Sequence, residues 1–174
     1  VVVHTAASVS KEILSSCSTA YGVMYPLQSL KQEVSVIPPI PVLLDGNSEG
    51  AISIIKRFAL SWADNVQIAT DEERLKLHLA AVFVNNFTNH LFALIEDYCE
   101  VNGLNYNILE RIIEETMLRV KVHSPAMLQT GPAIRKDLTT IKRHQELLVD
   151  NGKILDVYNV LTDSIMAFYK TDKG

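Results

Sequence analysis

At 174 residues the chain can bury one substantial core or two small ones, and a composition 48% hydrophobic and 21% charged is that of an ordinary globular protein. A formal net charge of -4 argues against a generic binder of nucleic-acid phosphates, which presents a basic face. The apolar run 79–84 is broken by Asn85 and Asn86, far short of the ~20 residues a membrane-spanning helix needs, so no membrane partner is expected.

Residues 1–5, Val-Val-Val-His-Thr, are a β-branched run with the pattern of a strand buried on both faces. A strand needs partners, so further sequence is expected upstream of Val1. Ser8 or Ser10 is placed to cap a helix over 11–16. Residues 20–25 (Ala-Tyr-Gly-Val-Met-Tyr) read as a second strand, stopped by Pro26. Prolines at 38, 39 and 41 make 34–41 an extended connection or edge segment. A strand over 41–44 then runs into the turn residues Asp45-Gly46-Asn47. Ser48 is an N-cap, and Glu49 suits the positive end of the helix dipole. Ala51, Ile52, Ile54, Ile55, Phe58, Ala59 and Trp62 follow at helical spacing, which predicts an amphipathic helix over 48–63. Residues 66–69 supply a last short strand, and this alternation is α/β grammar.

From Thr70 the grammar changes. Thr70 or Asp71 caps a long helix running to about Val101, ended by Asn102-Gly103. A second helix covers 107–122, with Ile108, Leu109, Ile112, Ile113, Met117 and Val120 as its apolar stripe. Pro125 and Pro132 each stand where a helix begins, and helices over 137–149 and 153–169 complete the set. With no strand pattern after Ala69, the domain boundary is expected near residue 70.

Three constellations have chemical potential. In open α/β sheets ligands lie beyond the carboxyl ends of strands, where this chain has His4-Thr5-Ala6-Ala7-Ser8 and Tyr25-Pro26-Leu27-Gln28-Ser29. His4, Thr5 and Gln28 either contact a ligand there or merely finish loops. On the long helix, His78, Asn85 and Asn89 fall within about 20° of one direction at about 100° per residue, with Asn86 at the edge of that stripe. Their apolar neighbours imply a semi-buried setting, where an amide hydrogen-bonds either a ligand or another helix. The third is Thr130-Gly131-Pro132-Ala133-Ile134-Arg135-Lys136-Asp137 with His144, either an anion-holding corner or a tight helix–helix turn. Cys17 and Cys99 have neither CxxC nor metal-type spacing, which fits a reducing cytoplasm better than a disulfide scaffold. The five histidines are scattered, and no metal site is expected.

Together these segments, in this order, resemble a family of two-domain proteins labelled NADP oxidoreductases, with a Rossmann-like domain followed by a helical C-terminal domain of unknown function. The plan is similar to that of pyrroline-5-carboxylate reductase and the 6-phosphogluconate and β-hydroxyacid dehydrogenase group. The resemblance implies α/β plus all-α architecture. Residues 1–69 would be the C-terminal part of an NAD(P)-binding domain whose phosphate-loop half lies upstream, since no G-x-G-x-x-G occurs here. Residues 70–174 would be a helical substrate and dimerisation domain, giving a homodimer. The implied function is hydride transfer between NADP or NAD and a small-molecule substrate in the interdomain cleft. His4, Thr5 and Gln28 would bind the cofactor, His78, Asn85 and Asn86 would be catalytic, and Arg135 and His144 would bind substrate. The lysine that β-hydroxyacid dehydrogenases carry four residues before an Asn is absent, because the matching positions are Ala81 and Val82. The alternative is therefore a non-catalytic nucleotide-sensing or structural dimer that retains the fold.

Overall fold

The computed structural model describes residues 1–29 and 39–170. Most of the segment expected to be extended over 34–41 lies outside the described residues. The chain divides into two compact units, Val1–Phe92 and Ala93–Gly174.

The first unit is α/β. Strands β1 (Val2–His4), β2 (Tyr21–Pro26), β3 (Val42–Gly46) and β4 (Val66–Ile68) form one mixed sheet in the order β1-β2-β3-β4. β1 and β2 are parallel, with His4 opposite Val23, and β3 and β4 are parallel, while β2 and β3 run antiparallel with Tyr25 opposite Leu43. The sheet thus reverses direction once. The carboxyl ends of β1 and β2 leave by one end of the sheet, carrying His4-Thr5 and Pro26-Leu27-Gln28, and those of β3 and β4 leave by the other.

Val42 and Leu44 of β3 are fully buried and pack with Ile55, Ala59 and Ala63, while Val3, Met24, Ile52 and Val66 close the margin of this core. β1 departs from the expectation of a strand covered on both faces: it is flanked by β2 alone among the described strands, and Val1 and Val2 stay exposed. The connection after β1 is a single 3-10 turn, Lys11–Leu14, where a longer helix was expected; the Ser10 hydroxyl accepts from the Glu12 amide. The ammonium of Lys11 pairs with the buried Asp45 carboxylate, whose other oxygen accepts the Gly46 N–H at 2.8 Å.

Helix α1 (Glu49–Ala59) begins as the sequence predicts, the Ser48 hydroxyl accepting the Ala51 N–H at 3.2 Å. It buries only the row Ala51, Ile55 and Ala59. Ile54, Phe58 and Trp62, expected on the same apolar face, are exposed, because one i, i+4 row is all that β3 covers.

Helix α2 (Asp71–Ala81) opens on a reciprocal capping box, Thr70 with Glu73. The expected long helix is present but not uniform. After α2 the chain makes one π turn, Val82–Phe87, then resumes as α3 (Thr88–Val101), which ends at Gly103 with φ 65°. Across the π turn the Thr88 hydroxyl donates to the Phe83 carbonyl five residues back, at 3.3 Å.

The second unit, which starts within α3, is helical, and among the described residues no strand follows Ile68. It contains α4 (Glu110–Val122), α5 (Pro125–Leu128), α6 (Pro132–Arg135), α7 (Leu138–Leu147) and α8 (Gly152–Phe168). Asp137 caps α7 and Asn151 caps α8. Helix α4 buries no residue: Ile112 of its expected apolar stripe is 61% exposed, and Ile108 in the turn before it 79%.

Candidate active site

Strand β2 ends in Tyr25-Pro26, with Pro26 opposite Val42 and the Leu27 N–H donating to the Pro41 carbonyl at 2.8 Å just beyond. The Tyr25 ring faces the last turn of α2, where its hydroxyl lies 3.0 Å from His78 Nδ1, the two rings meeting edge-on at 79°. Burial pushes the Tyr25 phenol above its ordinary pKa. The pair lies in the wall of a cavity of about 550 Å³. Gln28 and Ser29 from the β2 end and Asn85 and Asn86 from the π turn supply its other polar groups, and Leu77, Ala80, Ala81, Val82 and Val84 are among its apolar lining. Among the described residues that line it there is no Asp, Glu, Lys or Arg, and Ala81 and Val82 both stand in the wall.

The π turn decides which amides face this space. On a uniform α-helix His78, Asn85 and Asn89 share one direction. A π turn advances each residue by less than the ~100° of an α-helix. The accumulated lag brings Asn86 to the wall, and Asn89 is not part of it. The two asparagines are also exposed rather than semi-buried, so they owe no partner within the protein.

His4 and Thr5 stand outside this wall. His4 Nδ1 accepts the Ala6 N–H at 3.2 Å, which assigns the ring proton of the neutral form to Nε2. That Nε2 is buried with no hydrogen-bond partner. The loop carrying it is tied down by Arg74. Its Nε donates to the Ala7 carbonyl at 3.0 Å, and its Nη2 donates to the Val9 carbonyl at 2.6 Å and to Asp71 Oδ1 at 2.8 Å. Burial by itself would raise the Asp71 pKa, but the Ser10 hydroxyl, the Arg74 guanidinium and the Lys11 amide outweigh it and hold the carboxyl below its ordinary value.

Arg135 and His144 belong to the second unit. Gly131 sits at φ 100°, a conformation that favours glycine, and Lys136 at φ 56°, so the chain folds back to let Asp137 donate its N–H to the Pro132 carbonyl at 2.9 Å. Arg135 is exposed on this corner. His144 Nδ1 lies 3.0 Å from the Tyr158 hydroxyl, and Gln145 donates to Asn159 at 2.8 Å, two rungs that join α7 to α8. Among the described residues no group of His, Cys, Asp or Glu gathers as a metal site would require, and no helix is long and apolar enough to cross a membrane.

Residues 40–165 match the family described as a domain of unknown function, DUF2520. A Bacteroides fragilis protein, whose crystal structure is named as that of a putative NADP oxidoreductase, is 34% identical with a TM-score of 0.89 over 95% of this chain. The chain spans 64% of that protein's length. A Thermotoga maritima protein shares the fold at 20% identity and a TM-score of 0.76, covering 100% of this chain and 70% of its own. No curated protein matches the chain.

Proposed function

The chain belongs to the family of the domain of unknown function DUF2520, and from that premise we propose that it is part of an NAD(P)-dependent oxidoreductase acting on a small substrate. One observation carries the reading: a phenol–imidazole pair lies in the wall of a cavity rimmed by three amides, at the end of the sheet where two parallel strands finish. The likeness to the Bacteroides fragilis protein supports it. The residues present fit the nicotinamide end of such a cofactor. His4 Nε2, a buried donor with no acceptor, suits a ribose or carboxamide oxygen. His4, Thr5 and Gln28 would line the cofactor side, and His78, Asn85 and Asn86 the substrate side. When bound, the nicotinamide supplies a hydride; this chain orients the acceptor, excludes water with its apolar wall and moves a proton through His78. Arg135 and His144 are proposed as substrate contacts of the helical unit.

The reading is tested by titrating the full-length protein with NADPH and following fluorescence or thermal stability. Saturable binding at micromolar to millimolar cofactor is expected, and its absence rejects the oxidoreductase. The wall at Ala81 and Val82, without an ammonium group, favours a second reading, a nucleotide-sensing protein that has lost catalysis. Binding without turnover over a panel of ketones, aldehydes and imines would select it.

The helical unit is proposed to form a homodimer. An amphipathic helix gains most of its stability by burying its apolar face, yet α4 buries none of its residues. Light scattering is expected to give twice the monomer mass, and Ile112→Asp, which puts a charge on the exposed stripe, to give monomers. A monomeric wild-type protein would reject the dimer.

A further inference from the structure

We propose that Tyr25, supplied by His78, is the group that donates a proton to the substrate, and that the substrate is an uncharged carbonyl compound rather than a keto acid. The inference rests on the oxidoreductase reading for its chemistry, though not for its geometry. The Tyr25–His78 contact has two arrangements, because Nδ1 either accepts the phenol hydrogen or donates its own. In the second, the Tyr25 oxygen is the acceptor and its hydrogen is free to turn into the cavity whose wall it forms. A phenol held above its ordinary pKa by burial stays protonated at neutral pH. It remains far more acidic than an alcohol, so a proton handed to a nascent alkoxide runs downhill.

The lining speaks to the substrate's charge. Gln28, Asn85 and Asn86 offer amide donors and acceptors, and Ser29 a hydroxyl, against an apolar wall of Leu, Ala and Val. A carboxylate entering this space loses hydration and meets no cation among the described lining residues, a cost that a neutral carbonyl, amide or hydroxyl escapes.

The step balances as follows. As hydride adds to the carbonyl carbon, the C=O π pair moves onto oxygen and takes the Tyr25 proton. The Tyr25 oxygen takes the proton on His78 Nδ1, and His78 Nε2 takes one from solvent. The carbonyl is reduced to an alcohol, the dihydronicotinamide is oxidised, and one solvent proton is consumed. His78 ends as the Nε2–H tautomer and must exchange protons with solvent to return.

The test reads the pair without cofactor. The protein carrying 15N-labelled histidine is titrated with pyruvamide and, separately, with pyruvate, following the His78 ring nitrogens by NMR. Pyruvamide is expected to shift them with half-saturation at least tenfold lower than pyruvate, and Tyr25→Phe, which removes only an oxygen, to change the Nδ1–H to Nε2–H ratio while leaving the preference, which the lining sets, in place. Pyruvate binding as well as or better than pyruvamide, no saturation by pyruvamide, or a tautomer ratio indifferent to Tyr25→Phe would each overturn the proposal. The comparison of the two probes on the wild-type protein stands even if the variant does not fold. Failure of NADPH to bind full-length protein, with the pyruvamide preference intact, rejects the oxidoreductase reading and leaves the neutral-carbonyl site standing.

Discussion

Arg74→Ala is expected to destabilise the protein by about 3–5 kcal/mol, the range for breaking a buried charged contact, and to lower Tm by roughly 10 °C. Arg74 is 1% exposed and is the residue that α2 buries. Its loss strips the Ala7 and Val9 carbonyls of their donors and leaves a side-chain-sized hole beneath the loop after β1. Arg74→Lys keeps the charge but not the planar fork that reaches two carbonyls at once, so it is expected to recover less than half of the loss. The pH dependence should change too. Asp71 has a folded pKa below its unfolded one, so the stability it adds is fully present above the unfolded value of ~3.9 and drains away as pH falls through the folded value. Removing Arg74 raises the folded pKa, and the acid limb of a Tm–pH curve should flatten. A melting temperature and acid limb unchanged in Arg74→Ala would show that the clamp is energetically idle.

Gly22→Ala is the second large effect. Gly22 pairs with Gly46 across the antiparallel register of β2 and β3. A Cβ there would fall deep within van der Waals distance of the Asp45 carbonyl oxygen and 2.6 Å from Ile55 Cδ1. Ile55 can shift its methyl, but the carbonyl is ladder backbone and cannot. A loss of about 3 kcal/mol is expected, at the upper end for overpacking, visible as a lower urea midpoint with an unchanged m-value. Gly50→Ala provides the contrast. It sits in α1 with its nearest neighbour 4.0 Å away, and alanine there should be neutral or stabilising by about 0.5–1 kcal/mol. Equal responses at both positions would refute the close-approach argument.

Much of the architecture was legible because its signals are local. Hydrophobic runs marked all four described strands, and Ser48 and Thr70 capped the helices they were expected to cap. Pro125 and Pro132 opened theirs, and Gly103 closed the long helix. These follow from φ/ψ preferences and from hydrogen-bond groups a few residues apart. Part of the cavity was legible for the same reason: Gln28, His78 and Asn85 line it because strand ends and helix faces follow from periodicity, whereas Asn86, at the edge of the expected stripe, reaches the wall through the π turn. Tyr25 was not singled out, since an aromatic residue closing a strand reads as core until something polar is found opposite its hydroxyl. Arg74 was missed because an arginine three residues after Asp71 looks like half of a solvated helix pair.

The sequence alone determined the order of elements, the helix caps, the change from α/β to helical grammar and the resemblance that led to the family. Only the tertiary structure decided the antiparallel pairing of β2 with β3, the π turn at Val82–Phe87, the burial of Arg74 and the meeting of Tyr25 with His78. The physical reason is separation along the chain. Caps and periodicities are settled within about four residues, whereas Tyr25 and His78 stand 53 residues apart and Arg74 reaches carbonyls 65 and 67 residues away. Such contacts exist only once the sheet has set its direction and α2 has docked.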